Sequence, residues 1–195
     1  LKLFDCYFPE SGYVLNVAFS PTEDVFDVAL INTDGSSVQP VYKRYGLDGK
    51  EQGQLMPEEA AIMPMLAYDS TSQLTAAGQN TVAGMDYNND RPAYIQNYAE
   101  IRTMTRYKDG LLLLANERKG DKWSLYTKTA KDSWSAGYEI GEDITIPAVR
   151  GTRLAIGSGT RIKVFDIKNK QWLLDQNLAV EIIRIGFATE DALTV

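Results

Sequence analysis

Five short segments of this chain can be laid over one another at a spacing near 40 residues. They are Leu1-Lys-Leu-Phe-Asp5, Tyr42-Lys-Arg-Tyr-Gly46, Val82-Ala-Gly-Met-Asp86, Ser124-Leu-Tyr-Thr127 and Ile162-Lys-Val-Phe-Asp166. Their last residues stand at 5, 46, 86, 127 and 166, so the gaps are 41, 40, 41 and 39. A period of this length is too long for a coiled-coil or collagen repeat. It has room for one supersecondary unit that buries its apolar faces against copies of itself.

Each period carries four strand-like runs. The first is apolar and often alternates: 14–19, 61–67, 101–107, 144–149 and 180–187. Period-two alternation is the strand signature. Turn residues follow, such as Ser20-Pro21 and Asp109-Gly110, whose backbone preferences suit tight turns. The second run is apolar on both faces: 27–31, 73–77, 111–115, 154–156 and 192–195. That suits a strand covered on both sides. The third run is the repeated segment itself, closed by a polar hairpin loop at 47–50, 87–90, 129–132 or 168–170. The fourth is more polar, as an outer edge should be. It contains Trp134 and Trp172 at nearly the same offset, read as packing between units. Four-stranded antiparallel units repeating near 40 residues are the blades of a β-propeller, an all-β fold.

Complete blades fall at about 14–58, 60–99, 101–141 and 144–178, within one domain spanning 1–195. The leftover ends, 180–195 and 1–12, supply two strands each. Paired, they would make a fifth, composite blade that closes the ring and removes open edges. The competing reading is a piece of a seven- or eight-bladed ring. The chain opens at Leu1 inside a strand pattern, so a processed product or part of a longer chain is expected.

Composition narrows the chemistry. With no histidine, a Ser-His-Asp triad and any His-ligated metal site are excluded. The single cysteine, Cys6, cannot form an internal disulfide; beside an apolar strand it reads as a buried thiol. Low cysteine content leaves the compartment open, with an extracytoplasmic setting slightly preferred. The longest apolar run, 111–115, has strand length, far short of the roughly 20 residues that span a bilayer. No membrane contact is therefore expected from this segment. Net charge is −6, unevenly spread: residues 1–90 hold 4 Lys+Arg against 13 Asp+Glu, and residues 91–195 hold 16 against 13. A nucleic-acid partner is not expected of so acidic a chain. Arg102, Arg106, Lys108, Arg118, Lys119, Lys122, Lys128 and Lys131 form a basic stretch, read as a solvated outer surface.

The pattern resembles the WD40 and YVTN-type propeller superfamily. Ala18-Phe-Ser-Pro21 is similar to the inner-strand turn of those repeats. Gly151-Thr-Arg-Leu-Ala-Ile-Gly157 followed by Arg161-Ile-Lys-Val-Phe-Asp166 resembles a WD-repeat hairpin. Phe4-Asp5 and Phe165-Asp166 stand where that family has Trp-Asp. The family's Asp-His-Ser/Thr-Trp network cannot form without histidine, and Gly46 and Thr127 replace the aspartate of two anchors. The chain also resembles propeller domains of bacterial, often membrane-anchored, proteins.

No set of residues converges on a reaction. Asp86-x-Asn88-x-Asp90 begins like a calcium loop, but Arg91 and Asn97 stand where glycine and glutamate are needed. A polar hairpin loop is the expectation there, and a turn at Asn32-Thr-Asp-Gly35. Gly157-Ser-Gly159 joins two strands, so no helix N-terminus backs it as a phosphate cradle. Glu58-Glu59 and Glu142-Asp143 fall on equivalent fourth-to-first-strand connections and read as turn chemistry. The expected function is a non-catalytic scaffold that binds a protein, peptide or glycan through loops at one face, with no cofactor, no metal and no catalytic residues. The ligand-binding residues are unknown at this stage. Two alternatives stand beside it. One is the sensor or structural ectodomain of a membrane-anchored protein. The other is a glycan-active enzyme built on two carboxylates about 5–10 Å apart.

Overall fold

The computed structural model describes residues 12–33, 38–57, 62–118, 122–129, 133–141 and 144–195. Every regular element among them is a β-strand. The first sheet runs β1 (Gly12–Phe19), β2 (Val25–Asn32), β3 (Gln39–Gly46), β4 (Glu51–Leu55) in that spatial order. The second is β5 (Met65–Tyr68), β6 (Leu74–Ala77), β7 (Thr81–Asp86), β8 (Arg91–Asn97). The third is β9 (Glu100–Tyr107), β10 (Gly110–Asn116), β11 (Ser124–Lys128), β12 (Tyr138–Glu139). The fourth is β13 (Ile146–Arg150), β14 (Arg153–Ser158), β15 (Arg161–Asp166), β16 (Gln171–Asn177). An antiparallel pair, β17 (Gly186–Thr189) and β18 (Ala192–Thr194), ends the chain. The all-β, four-stranded antiparallel architecture agrees with the expectation. Residues 180–195 contribute the β17–β18 pair, while the segment expected to complete their blade, together with Cys6 and Phe4-Asp5, lies outside the described residues.

The chain divides into two compact units, residues 1–119 with 126–136 and residues 120–125 with 137–195. In the first unit the sheets pack face to face. Ala29, Tyr42 and Leu55 of the first sheet share a core with Tyr68, Leu74, Ala76, Ala83 and Met85 of the second. The opposite face of the second sheet offers Ala67, Ala77 and Val82 to Ile101, Met104, Leu111, Leu113 and Tyr126. Adjacent Ala76 and Ala77 therefore face different cores, as alternation along a strand requires, and their small side chains permit close approach. In the first three sheets the second strand is the most deeply covered, and Leu111 to Leu114 are all fully buried. Burying one such side chain contributes roughly 2 kcal/mol. The fourth strands β8 and β16 are mostly exposed.

Three strand boundaries differ from expectation, each for a physical reason. The run 61–67 becomes a strand only at Met65, because Pro64 has no N–H to give to a ladder. Around Trp134 the outer strand shrinks to Tyr138–Glu139. The Ser135 hydroxyl instead accepts the Thr127 N–H, while Trp134 packs onto the core. The run 180–187 is extended only from Gly186. Ile182 and Ile185 before it are plugs: a Cβ on Gly157 would lie 2.6 Å from Ile185 Cδ1 and 3.1 Å from Ile182 Cγ2. The missing side chain of Gly157 is the space they fill.

In the second unit the Asp166 carboxylate accepts from the Lys168 and Asn169 backbone N–H groups at 2.9 and 3.0 Å and from Arg153 at 2.6 Å. The aspartate of the WD-like dipeptide thus closes the β15–β16 turn and pairs with its cross-strand neighbour Arg153. These bonds, that from the Asn169 backbone foremost, hold its carboxyl below the usual 3.8. A depressed folded-state value means stability that is present above the unfolded value and lost as pH falls below it. Asp166→Asn is therefore expected to lower Tm at neutral pH, and the gap to wild type should close below about pH 4. A gap that stays constant in thermal melts through that range would refute this role.

Candidate functional site

A cavity of about 280 Å³ opens in the first unit where three first strands meet. Its walls are Val17, Ala18 and Phe19 of β1, Leu66, Ala67 and Tyr68 of β5, and Met104, Thr105 and Arg106 of β9. All nine lie in the C-terminal parts of their strands, beside the first-to-second-strand turns. Glu58-Glu59 and Glu142-Asp143, on the opposite kind of connection, lie outside the described residues. Its side chains are apolar except for Thr105, the Tyr68 hydroxyl and Arg106, and the lining surface as a whole is mixed, polar as much as apolar. Val17 and Phe19 are 41% and 66% exposed, so two large apolar groups stand in solvent on one wall. Among the described residues no carboxylate lines the cavity.

Tyr68 joins this wall to a buried charge. Asp27, in the middle of β2, is wholly buried, and the Tyr68 hydroxyl donates to its Oδ2. Arg44, its cross-strand partner, donates from Nε to Oδ1 at 3.3 Å and from a terminal nitrogen to Oδ2 at 3.2 Å. The Arg44 guanidinium lies 4.7 Å from the centroid of the Tyr87 ring and 5.9 Å from that of Tyr68. Burial raises the Asp27 carboxyl above its usual value, against the lowering effect of Arg44. Burial also pushes the Tyr87 phenol up, and the Asp27 charge adds to that. Tyr42 makes a second tie, its hydroxyl accepting the Met63 N–H at 2.9 Å, and burial lifts its phenol to about 12.

The motifs singled out in the sequence resolve into turns. Asp86 accepts from the Asn88 N–H at 3.1 Å and from Asn89 Nδ2 at 2.6 Å, which makes the calcium-like stretch a side-chain-capped hairpin. Among the described residues no cluster of three metal-ligating side chains occurs. Gly157 and Ser158 end β14, Gly159 adopts φ +56° in the turn, and β15 follows at Arg161. Of Asn32-Thr-Asp-Gly35, the last two residues lie outside the described set.

The basic stretch does not act as one surface. Arg102 pairs with Glu100 at 2.8 Å, Lys122 with Glu139 at 3.0 Å, and Lys108 sits 5.1 Å from the centroid of Tyr107. Lys128 corrects the solvated reading: it is buried, 3.8 Å from the buried Asp69. Arg118 is exposed, and Lys119 and Lys131 lie outside the described residues. Among its described members Arg106 alone lines the cavity. Sequence reasoning located the strands that form the cavity but not the cavity. It also passed over Asp27, although a charge inside a doubly covered strand signals a buried partner.

No protein-family model matches the sequence, and no curated protein matches it. Three solved structures are similar in fold. Over 90% of this chain and 58% of theirs, the β-propeller domain of Myceliophteria thermophila Cps50 (Swd1) superposes with a TM-score of 0.62 at 15% identity. A chain of the mitotic checkpoint complex gives 0.64 at 13%, over 94% of this chain and 58% of that one. The Neurospora crassa Pan2 WD40 domain gives 0.56 at 12%, over 91% and 69%. The chain thus spans 58% of the length of the first two. The repeat, the antiparallel four-stranded sheets and these superpositions together give it the fold of a WD40-like β-propeller.

Proposed function

We propose that this chain is a non-catalytic interaction module that seats a peptide segment of a protein partner in the cavity between β1, β5 and β9. The cavity carries the reading: it is concave, combines apolar side chains with polar surface, and is bordered by solvent-exposed Val17 and Phe19. Exposed apolar groups around a concavity mark contact sites more often than isolated ones do. Strand residues line it, so its walls are set before a ligand arrives, which lowers the ordering cost of binding. The similar WD40 folds support a scaffold role, one of them being part of a checkpoint complex. A fold licenses no partner by itself.

The test is a random peptide library displayed on phage and panned on the immobilised chain. Val17→Trp fills the cavity from an exposed position, and Ile183→Ser alters an apolar group that is 88% exposed in the other unit. Selected peptides are expected to lose at least about tenfold in affinity on V17W, equivalent to about 1.4 kcal/mol, and to bind I183S as they bind wild type. Equal binding to wild type and V17W, or a library that yields no binder, would overturn the reading. So would glycans retained on an array in a V17W-sensitive manner.

A further inference from the structure

We infer that the occupant of this cavity presents an apolar side chain next to a carboxylate, and that Arg106 receives the carboxylate. The inference rests on the peptide-binding reading and specifies its ligand. Arg106 is the only charged residue among the nine that line the cavity. It is exposed, at the penultimate position of β9, opposite Leu111 in the ladder. Five of the eight other arginines among the described residues are engaged, and Arg91, Arg118 and Arg184, which have no ion pair there, lie away from the cavity. Arg44 holds Asp27, Arg102 holds Glu100 at 2.8 Å, Arg153 holds Asp166 at 2.6 Å and Arg161 holds Asp175 at 2.7 Å. Arg150 donates to the Phe187 and Ala188 carbonyls. No described acidic group pairs with Arg106.

The wall opposite is Val17 and Phe19, and Phe19 is anchored by its ring contact with Phe26 at 5.5 Å. A ligand that fills the space must therefore place apolar surface against β1 and β5 and something compatible with a guanidinium against β9. A lysine or arginine there would face like charge. A carboxylate would accept two parallel N–H bonds from the guanidinium fork. The first 90 residues carry 13 Asp+Glu against 4 Lys+Arg. The β1 and β5 walls thus come from an acidic part of the chain and Arg106 supplies the cation among the lining residues, so the contact would set register as well as charge preference.

The experiment is parallel panning of the same random peptide library on wild type, Arg106→Glu and Arg106→Gln. Wild type is expected to enrich peptides with Asp or Glu adjacent to an apolar residue, R106E to enrich Lys or Arg at that place, and R106Q to enrich neither. In fluorescence anisotropy, replacing the acidic residue of a wild-type-selected peptide by its amide should weaken binding to wild type by about fivefold, the scale of a solvent-accessible ion pair. On R106Q the same replacement should change nothing. Arg106 is exposed, so the variants should melt with wild type, and circular dichroism checks this. Selected peptides without acidic enrichment, or an acidic preference that survives in R106E, would overturn the inference. In that case V17W-sensitive binding would leave the peptide-binding reading standing. Binding insensitive to V17W would remove both.

Discussion

Replacing Arg44 with methionine is expected to destabilise the first unit by about 3–5 kcal/mol at neutral pH, the cost of leaving a buried charge without its partner. Asp27 is wholly buried, Arg44 and the Tyr68 hydroxyl donate to its carboxylate, and Tyr87 lies beside it. Removing the aspartate charge should behave differently. Burial raises the Asp27 carboxyl despite Arg44, so desolvation outweighs the ion pair in the native protein. An isosteric neutral group gives up the smaller of two opposing effects, and Asp27→Asn should fall within about 1 kcal/mol of wild type. Arg44 can tolerate the change, since its side chain is 20% exposed and keeps its place over the Tyr87 ring.

The sign with pH follows. A carboxyl whose folded-state value lies above its unfolded 3.8 binds protons more readily when folded. Its contribution to stability therefore improves as pH falls through the raised value toward 3.8, and is constant above it. The groups facing it are Arg44, Tyr68, Tyr87 and the exposed Glu23. In R44M the raise is larger, so the deficit against wild type should shrink as pH drops, and D27N/R44M should recover most of it. Urea unfolding at a series of pH values reads all of this. A pH-independent R44M deficit, or a D27N loss as large as that of R44M, would show that the pair acts by geometry rather than by charge.

The fold was legible because its signals are redundant. Each blade repeats the same order of one half-covered strand, one doubly covered strand, one anchor and one polar edge, so an ambiguous run such as 73–77 is settled by its equivalents. Failures came where one residue outweighs the rhythm: Pro64 delays β5, and Gly157 turns Ile182 and Ile185 into plugs. The site was less legible. Val17, Leu66 and Met104 read as ordinary inner-strand residues, and nothing local says that their side chains border one cavity, because that depends on sheet-to-sheet placement across some 90 residues of sequence. Asp27 and Arg44 could have been paired from the hairpin register alone. Aligning Val25 with Gly46 places them opposite each other, and a charge in a doubly covered strand requires such a partner.

Leu113→Ala is expected to cost about 3–5 kcal/mol, in the upper part of the range for truncating a buried leucine. Leu111, Leu113 and Ala115 share one face of β10 and pack with Ala67, Ala77, Val82, Ile101, Met104 and Tyr126. Two of these neighbours, Ala67 and Ala77, are alanines on strands held by hydrogen bonds, and they carry no long side chain that could swing into the gap. The site cannot collapse, so the cavity persists, and a persistent cavity adds to the lost transfer free energy. Leu113→Met keeps most of the volume and should cost less than about 1.5 kcal/mol. Ile95→Ala, on the outer strand β8 and 50% exposed, should stay within about 0.5 kcal/mol of wild type. Trp134 packs onto the same cluster in the first unit, whereas Trp123 and Trp172 belong to the second. A Trp123→Phe/Trp172→Phe background therefore lets tryptophan fluorescence follow the first unit alone during urea unfolding. In that background L113A should lower the midpoint with the slope unchanged. A loss no larger than that of I95A would mean that β10 is not the covered centre of its sheet.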